Sequence, residues 1–201
     1  MTTQLKICGL TDPIMAAEAI VQGVTYIGLI FHPASKRHVT LDKAIAIAAA
    51  VHDAGGLIVP VFVDQQADEI LDIATAVHAD FVQLHGPTAA AAYSMLTAQY
   101  PCIVAQQFSQ ILKLDPQRDY LLYDYEEPGS GQPFDWQQVT LDPHYRAFIA
   151  GGITAETIPD AIAHFYPFAL DISSGAESVL GVKDLDKIKA CYDAVERSNN
   201  E

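Results

Sequence analysis

The sequence predicts an α/β protein built as a single (β/α)₈ (TIM) barrel. Short apolar or β-branched runs alternate with amphipathic, alanine-rich stretches along the chain, as expected of parallel strands buried on both faces. Eight such runs in 201 residues leave about 25 residues per strand-helix unit, which fits a compact barrel. A doubly wound open sheet is the alternative. It is disfavoured because the first strand-to-helix turn, Cys8–Pro13, lacks the glycine pattern of dinucleotide-binding proteins.

The eight apolar runs define the predicted strands. In order they are Leu5–Cys8, Tyr26–Phe31, Leu57–Val63, Phe81–Leu84, Ile103–Gln106, Tyr120–Tyr123, Ala147–Ala150 and Phe168–Ile172.

Three of the intervening helices have clear start signals. Asp12 followed by Pro13 predicts a capped first helix, which ends at Gly23. Thr154 is expected to cap a helix over Ala155–Phe165, and Asp184 to cap the last helix, which carries an apolar face.

Other segments are less regular. The stretches 107–119 and 125–144 carry Pro and Gly, so short or loop-like units are expected there, with Trp136 as an anchor for the loop after strand six. The tail, Ser198–Glu201, is expected to fray.

Composition and charge narrow the class of protein. A net charge of −14 repels polyanions, so nucleic acid is not an expected partner. A small anion can bind where the site is locally positive. With only 11 Lys and Arg, backbone amides and helix N-termini must supply part of that attraction.

The cysteines and the apolar runs indicate a cytoplasmic protein of one domain, residues 1–201. Cys8, Cys102 and Cys191 are too few and too widely spaced for a disulfide framework or a zinc site, and the latter two are read as packing residues. The longest apolar run, Ala44–Val51, is far shorter than a membrane span, and the start has no signal-peptide pattern. We therefore expect no membrane association and no metal.

Two turns predict a phosphate site. In a (β/α)₈ barrel the active site lies at the C-terminal ends of the strands, and the last two loops often hold phosphate. Gly151-Gly152 follow strand seven; Asp171 is followed by Ser173, Ser174 and Gly175 at the end of strand eight. Exposed backbone N–H groups and two hydroxyls would serve a phosphate. A tight turn without a ligand is the alternative for the glycine pair.

Cys8 and Asp124 are the candidate acid-base residues. Both end strands, at the predicted barrel mouth. A thiol near Lys6 can have a lowered pKa and act as a base, and a carboxylic acid sheltered from water can keep its proton. The alternatives are a buried packing thiol and a turn cap. Of the other rim residues, Arg37 can clamp a substrate carboxylate or be a solvated loop charge, and His85 can line the site or be structural.

Taken in order, several strings resemble phosphoribosylanthranilate isomerase of tryptophan biosynthesis. They run from Leu5 to Asp184. The most specific are KICG near the start, QLHG in the middle and SSG-E-GVKD near the end. They are accompanied by GLIFHPASKRHV, VFVD, LLYD followed by GSGQPFDW, and IAGGIT.

The resemblance implies an Amadori rearrangement of N-(5-phosphoribosyl)anthranilate to the 1-deoxyribulose phosphate, without a cofactor. It implies Cys8 as general base and Asp124 as general acid, with Arg37 near the anthranilate carboxylate. Gly152, Asp171, Ser173 and Ser174 match the phosphate-binding region of the family, and His85 lines the pocket. The small phosphorylated substrate is the expected partner; the chain can be a monomer or a homodimer.

Three positions depart from the family pattern. Lys36 replaces a usual Pro before Arg37, which can re-aim that loop. Pro60 replaces a glycine of the third strand and is expected at the strand start, where its missing N–H matters less. Pro128 replaces a glycine in the loop after strand six, which can alter closure over the site.

Two rival functions remain at this stage. One is another phosphosugar barrel enzyme, related to indole-glycerol-phosphate synthase, which leans on lysine and glutamate, or to the histidine-pathway isomerase, which uses two aspartates. The other is a non-catalytic barrel that binds phosphorylated metabolites. The pairing of Cys8 with Asp124 disfavours both, since a pure binder needs neither residue.

Overall fold

A computed structural model of the chain describes residues 2–109, 111–124 and 139–200. In it, eight parallel strands close into a barrel in sequence order, with β1 hydrogen-bonded to β8. The strands are β1 (Gln4–Cys8), β2 (Tyr26–Ile30), β3 (Leu57–Phe62), β4 (Val82–Leu84), β5 (Cys102–Ala105), β6 (Tyr120–Asp124), β7 (Arg146–Ala150) and β8 (Ala169–Ile172). Each predicted strand is confirmed, with both ends within one residue of the prediction.

The helices lie between the strands along the chain. They are α1 (Pro13–Val21), α2 (Leu41–Asp53), α3 (Ala67–Ala76), α4 (Pro87–Ala91), α5 (Tyr93–Leu96), α6 (Ile158–Phe165) and α7 (Leu185–Asn199). After β8, a 3₁₀ turn (Ser174–Ala176) leads into a hairpin of β9 (Glu177–Val179) and β10 (Val182–Lys183). None of these described helices is both long and apolar enough to cross a bilayer.

Two apolar regions result from the two faces of the strands. Outward-facing residues such as Leu5 and Ile7 pack with the helices in a large core outside the barrel. Inward-facing residues fill the barrel with a smaller cluster centred on Tyr26, Val59 and Phe148. Because side chains alternate along a strand, the inward series on β6 is Tyr120, Leu122 and then Asp124 at the C-terminal end.

The predicted caps are confirmed at α1 and α7. The Asp12 carboxylate accepts a hydrogen bond from the N–H of Met15 at 2.9 Å, and Gly23 follows the helix with φ of +110°. Asp184 accepts from the N–H groups of Asp186 and Lys187 at 2.9 and 3.1 Å.

The predicted start of α6 was wrong, because the helix begins at Ile158 and not at Ala155. Pro159 explains the difference. A helix from Ala155 would place this residue beyond the first turn, where it lacks the needed N–H and its ring meets a carbonyl. Instead, the chain turns at Thr154, and the Thr157 hydroxyl accepts from the Thr154 N–H at 3.0 Å and donates to its carbonyl at 3.2 Å.

The prediction of a frayed tail was also wrong as far as Asn199. This residue ends α7, and its side-chain amide holds both backbone groups of Thr3, accepting from the N–H at 2.8 Å and donating to the carbonyl at 3.0 Å. The last helix is thereby fastened beside the start of β1.

Pro60 is not at the start of β3 but fourth in it, opposite Leu29 of β2. The carbonyl of the neighbouring Val61 accepts a hydrogen bond from the Phe31 N–H, so the backbone groups of Val61 point toward β2. Because these directions alternate along a parallel strand, the backbone nitrogen of Pro60 points toward β4. The ladder between β3 and β4 begins only at Val61, which explains why the missing N–H of Pro60 is tolerated.

The irregular units were correctly expected for 107–119, where the described residues hold a 3₁₀ helix (Gln106–Phe108) and turns but no α-helix. Most of 125–144, with Trp136 and Pro128, lies outside the described residues.

Candidate active site

A cavity of about 340 Å³ opens at the C-terminal ends of the barrel strands. Nine of the ten predicted site residues line it. They are Cys8, Arg37, His85, Asp124, Gly151, Gly152, Asp171, Ser173 and Ser174. The strands that bring them together are far apart in sequence, so this convergence follows from barrel closure.

Gly175, the tenth predicted residue, is not part of the cavity lining. A Cβ atom on it would lie 2.0 Å from the carbonyl oxygen of Ile153. Gly175 therefore lets the loop after β8 approach the loop after β7, which is a structural task next to the predicted phosphate site.

The base of the cavity holds a buried ion pair that sequence reasoning did not place. Lys6 has no exposed surface, and its Nζ lies 2.7 Å from Oδ2 of Asp171 on the neighbouring strand β8. Burial by itself would lower the pKa of Lys6, but its interactions with Asp171 and Cys8 together outweigh burial and raise the pKa. Lys6 thus stays charged inside the barrel.

Cys8 lies two residues further along β1, on the same inward face as Lys6. The prediction that its pKa is lowered was wrong. Burial raises the pKa of the thiol, and the charge of Lys6 opposes this rise without cancelling it. The thiol therefore holds its proton more tightly than an exposed cysteine does.

Two further residues in or beside the cavity were missed from sequence. Gly28 of β2 faces Cys8, and a Cβ there would lie 2.7 Å from the Cys8 Sγ. Gln83 of β4 is buried in the lining, and its Oε1 has no hydrogen-bond partner among the described residues. A glycine and a glutamine inside otherwise apolar strands were the available signals.

Asp124 and His85 form the opposite wall from Cys8. Asp124 ends β6, His85 follows β4, and His85 Nε2 lies 3.5 Å from Asp124 Oδ2. The Asp124 side chain keeps 29% of its surface exposed, so the expected shelter from water is only partial. A carboxyl group here can reach both a ligand in the cavity and the histidine.

Arg37 is held by an ion pair and is not a solvated loop charge. Its Nε and Nη2 donate to the two carboxylate oxygens of Glu177 at 2.5 and 2.9 Å. Glu177 is itself buried and also accepts from Lys183 Nζ at 2.6 Å. Burial would raise the pKa of Glu177, but the hydrogen bonds from Arg37 and Lys183 lower it to about 2. The pair fixes Arg37 at the cavity edge despite Lys36 before it.

The two predicted phosphate loops meet at the other side of the cavity. Gly151 and Gly152 have φ of +98° and +63°, a backbone conformation that favours glycine. Ser173 donates from Oγ to the Cys8 carbonyl at 3.2 Å, and its own carbonyl accepts from Lys183 at 3.2 Å. The two positive charges of Lys183 and Arg37 exceed the single negative charge of Glu177, so this corner is locally positive in an acidic protein.

Over residues 2–109, 111–124 and 139–200, no cluster of three or more His, Cys, Asp or Glu side chains has the arrangement of a metal site. The chemistry that these residues offer is acid-base chemistry on an anionic ligand.

Comparison with known proteins assigns the family. The family profile of N-(5'-phosphoribosyl)anthranilate (PRA) isomerase matches residues 5–194. The N-(5'-phosphoribosyl)anthranilate isomerase of Streptococcus pneumoniae serotype 19F (strain G54) is 39% identical over 96% of both chains. The crystal structure of phosphoribosyl anthranilate isomerase from Thermotoga maritima superposes with a TM-score of 0.85 at 29% identity, covering 98% of this chain and 100% of that one. A phosphoribosyl anthranilate isomerase in complex with reduced 1-(o-carboxyphenylamino)-1-deoxyribulose 5-phosphate matches with a TM-score of 0.82 at 28% identity, covering 98% and 100%. With its sequence matched from the first strand into the last helix, this chain belongs to the N-(5'-phosphoribosyl)anthranilate isomerase family.

Proposed function

We propose that this chain isomerises N-(5-phosphoribosyl)anthranilate to 1-(2-carboxyphenylamino)-1-deoxyribulose 5-phosphate, with Cys8 as general base and Asp124 as general acid. One observation carries the proposal: in a chain of this family, the thiol on β1 and the carboxyl group on β6 line the same cavity from opposite sides. An aldose-ketose isomerisation needs one group that gives a proton and one that takes it.

The first step is opening of the sugar ring. Asp124 donates its proton to the furanose ring oxygen while the bond from that oxygen to C1′ breaks. The nitrogen lone pair forms a C=N bond to C1′, giving an iminium ion and a free 4′-hydroxyl. His85, 3.5 Å from the Asp124 carboxylate, is close enough to interact with the anion left on Asp124.

The second step is removal of the C2′ proton by Cys8 as a thiolate. The electrons of the C2′–H bond form a C1′–C2′ double bond and return the iminium electrons to nitrogen, which gives an enolamine. Tautomerisation of the enolamine then yields the ketone. Because Cys8 now holds one proton and Asp124 lacks one, transfer through solvent restores the pair for the next turnover.

The remaining cavity residues bind the substrate in this proposal. The N–H groups of Gly151 and Gly152 and the hydroxyls of Ser173 and Ser174 take the phosphate, and the nearby positive charge of Lys183 favours it. Arg37, at the cavity edge, takes the anthranilate carboxylate.

We further propose that residues 1–201 act as one cytoplasmic domain, as a monomer or a homodimer, without a cofactor. A different phosphosugar substrate and a purely binding barrel are the remaining alternatives.

The deciding experiment uses purified protein and phosphoribosylanthranilate generated in situ from anthranilate and phosphoribosyl pyrophosphate by the preceding enzyme. We expect an enzyme-dependent loss of substrate fluorescence that persists with EDTA. A decay no faster than the spontaneous background, from protein with a folded circular-dichroism spectrum, would favour the alternatives. Persistence with EDTA would also exclude a metal requirement.

A further inference from the structure

Lys6 is a buried cation directly beneath the Cys8 thiol. It has no exposed surface, and Asp171, 5% exposed, holds its Nζ at 2.7 Å. Lys6 and Asp171 are opposite each other in the register between β1 and β8, so both project into the barrel at the same level. Cys8 occupies the next inward position of β1 and closes the floor of the cavity.

Folding does not require a charge pair at this depth. Below this level the barrel is filled by a cluster of apolar residues such as Val59, Ile103 and Phe148, which is the usual solution. Taking two charges out of water is unfavourable, and apolar replacements of buried ion pairs are often neutral or stabilising. Stability alone therefore does not explain a lysine in this layer, which favours a role in the chemistry of the site.

The neighbouring strand makes room for the lysine and the thiol together. A Cβ on Gly28 would lie 2.7 Å from the Cys8 Sγ and 3.1 Å from the Lys6 Nζ. Both atoms thus border the same small space, which any larger residue would fill. The absence of a side chain at position 28 keeps the ammonium and the sulfur side by side.

We propose that Lys6 is a positioning residue for the general base: its ammonium, fixed by Asp171, compensates the negative charge that Cys8 carries as a thiolate. The role rests on the proposed function, since Lys6 acts on the substrate only through Cys8. The charged or titratable groups that face Cys8 or the cavity are Lys6, His32, Arg37, His85, Asp124, Asp171 and Lys183. Lys6 is the cation on the strand of Cys8 itself, and its charge opposes the effect of burial on the thiol more strongly than that of Lys183.

The test measures the ionisation of Cys8 directly. The rate of alkylation by iodoacetamide is followed from pH 6 to 11, with the modified cysteine identified by mass spectrometry, because Cys102 and Cys191 are fully buried. Replacing Lys6→Met keeps much of the volume and removes the charge. We expect the apparent pKa of Cys8 alkylation to rise by about one unit or more, the usual effect of losing one neighbouring opposite charge.

Two further variants make the result decisive. Arg146→Met removes one positive charge from the opposite end of the same barrel and should leave the alkylation profile unchanged. The double variant Lys6→Met/Asp171→Asn leaves no unpaired buried charge at this position, so it guards against misfolding. It should show a smaller rise in the pKa of Cys8, because the Asp171 charge that it also removes raises that pKa. An unchanged pKa in a folded Lys6 variant, or an equal shift in Arg146→Met, would overturn the proposal. Since no substrate is used, these outcomes are independent of whether the isomerase activity is found.

Discussion

The two ends of the barrel are built from the same strands but from opposite kinds of residue. At the N-terminal end, the rings of Tyr26, Phe81, Tyr120 and Phe148 meet edge to face with centroids 5.5 to 5.6 Å apart. The Arg146 guanidinium lies 4.0 Å from the centre of the Tyr120 ring. At the C-terminal end lie the charged pairs, the thiol and the glycine turns.

The strand β6 shows how closely the two ends are joined. Tyr120 packs in the aromatic cluster, Leu122 fills the middle, and Asp124 reaches the cavity, each two residues from the next. A four-residue step thus separates a packing residue from a catalytic candidate. Packing residues thus lie at the N-terminal end of a strand and candidate catalytic residues at its C-terminal end. Substitutions at the two ends should therefore change stability and activity separately.

The largest effect is expected at the C-terminal end, from removal of the acid or the base. Cys8→Ala and Asp124→Asn should each lower kcat by about 10²- to 10⁴-fold, the usual contribution of a positioned acid or base. Steady-state kinetics on purified protein measures this. Thermal unfolding should show both variants folded, and near-normal turnover in either one would remove that residue from the mechanism.

A large change in stability without loss of chemistry is expected at the N-terminal end. Phe148→Ala deletes a fully buried ring from the aromatic cluster and should reduce the free energy of unfolding by about 3–5 kcal/mol. Urea unfolding gives this value. The kcat per folded molecule should stay near that of the parent protein, and a parallel loss of kcat would show that the two ends are not separable.

A smaller effect is expected where the two phosphate loops touch. In Gly175→Ala, the new Cβ would collide with the Ile153 carbonyl and push the loops apart. Loss of one hydrogen bond to a charged phosphate corresponds to about 1.5–3 kcal/mol, so inorganic phosphate should inhibit at least about tenfold more weakly. Competitive inhibition measures it. Unchanged inhibition would place the phosphate elsewhere.

The smallest effect is expected from the cation that covers the aromatic cluster. Arg146→Met removes the contact with Tyr120 and should lower the free energy of unfolding by about 0.5–2 kcal/mol. Chemical denaturation of the variant and the parent protein detects this difference. Because Arg146 is remote from the cavity, kcat and KM should both remain unchanged; a shift in KM would argue against the separation of the two ends.

The barrel was predictable because each strand is an apolar run bounded by turn residues. Much of the cavity lining was predictable because its residues follow those runs. What sequence reasoning missed are partners distant in the chain. Asp171 pairs with Lys6 only because β8 closes onto β1, and Glu177 reaches Arg37 only because the hairpin after β8 folds back over the loop after β2. The prediction of a lowered pKa for Cys8 was wrong because burial and the charge of Asp171, both set by barrel closure, raise that pKa more than Lys6 lowers it.

The clasp between Asn199 and Thr3 has a consequence for how the molecule opens. Because the same side-chain amide holds both backbone groups of Thr3, the last turn of α7 cannot separate without releasing the chain just before β1. That strand carries Cys8 and Lys6. The Thr3 amide hydrogen should therefore exchange with solvent only when the last turn of α7 opens. The two segments should unfold as one cooperative unit. Asn199 thus helps to hold in place the strand that carries Cys8.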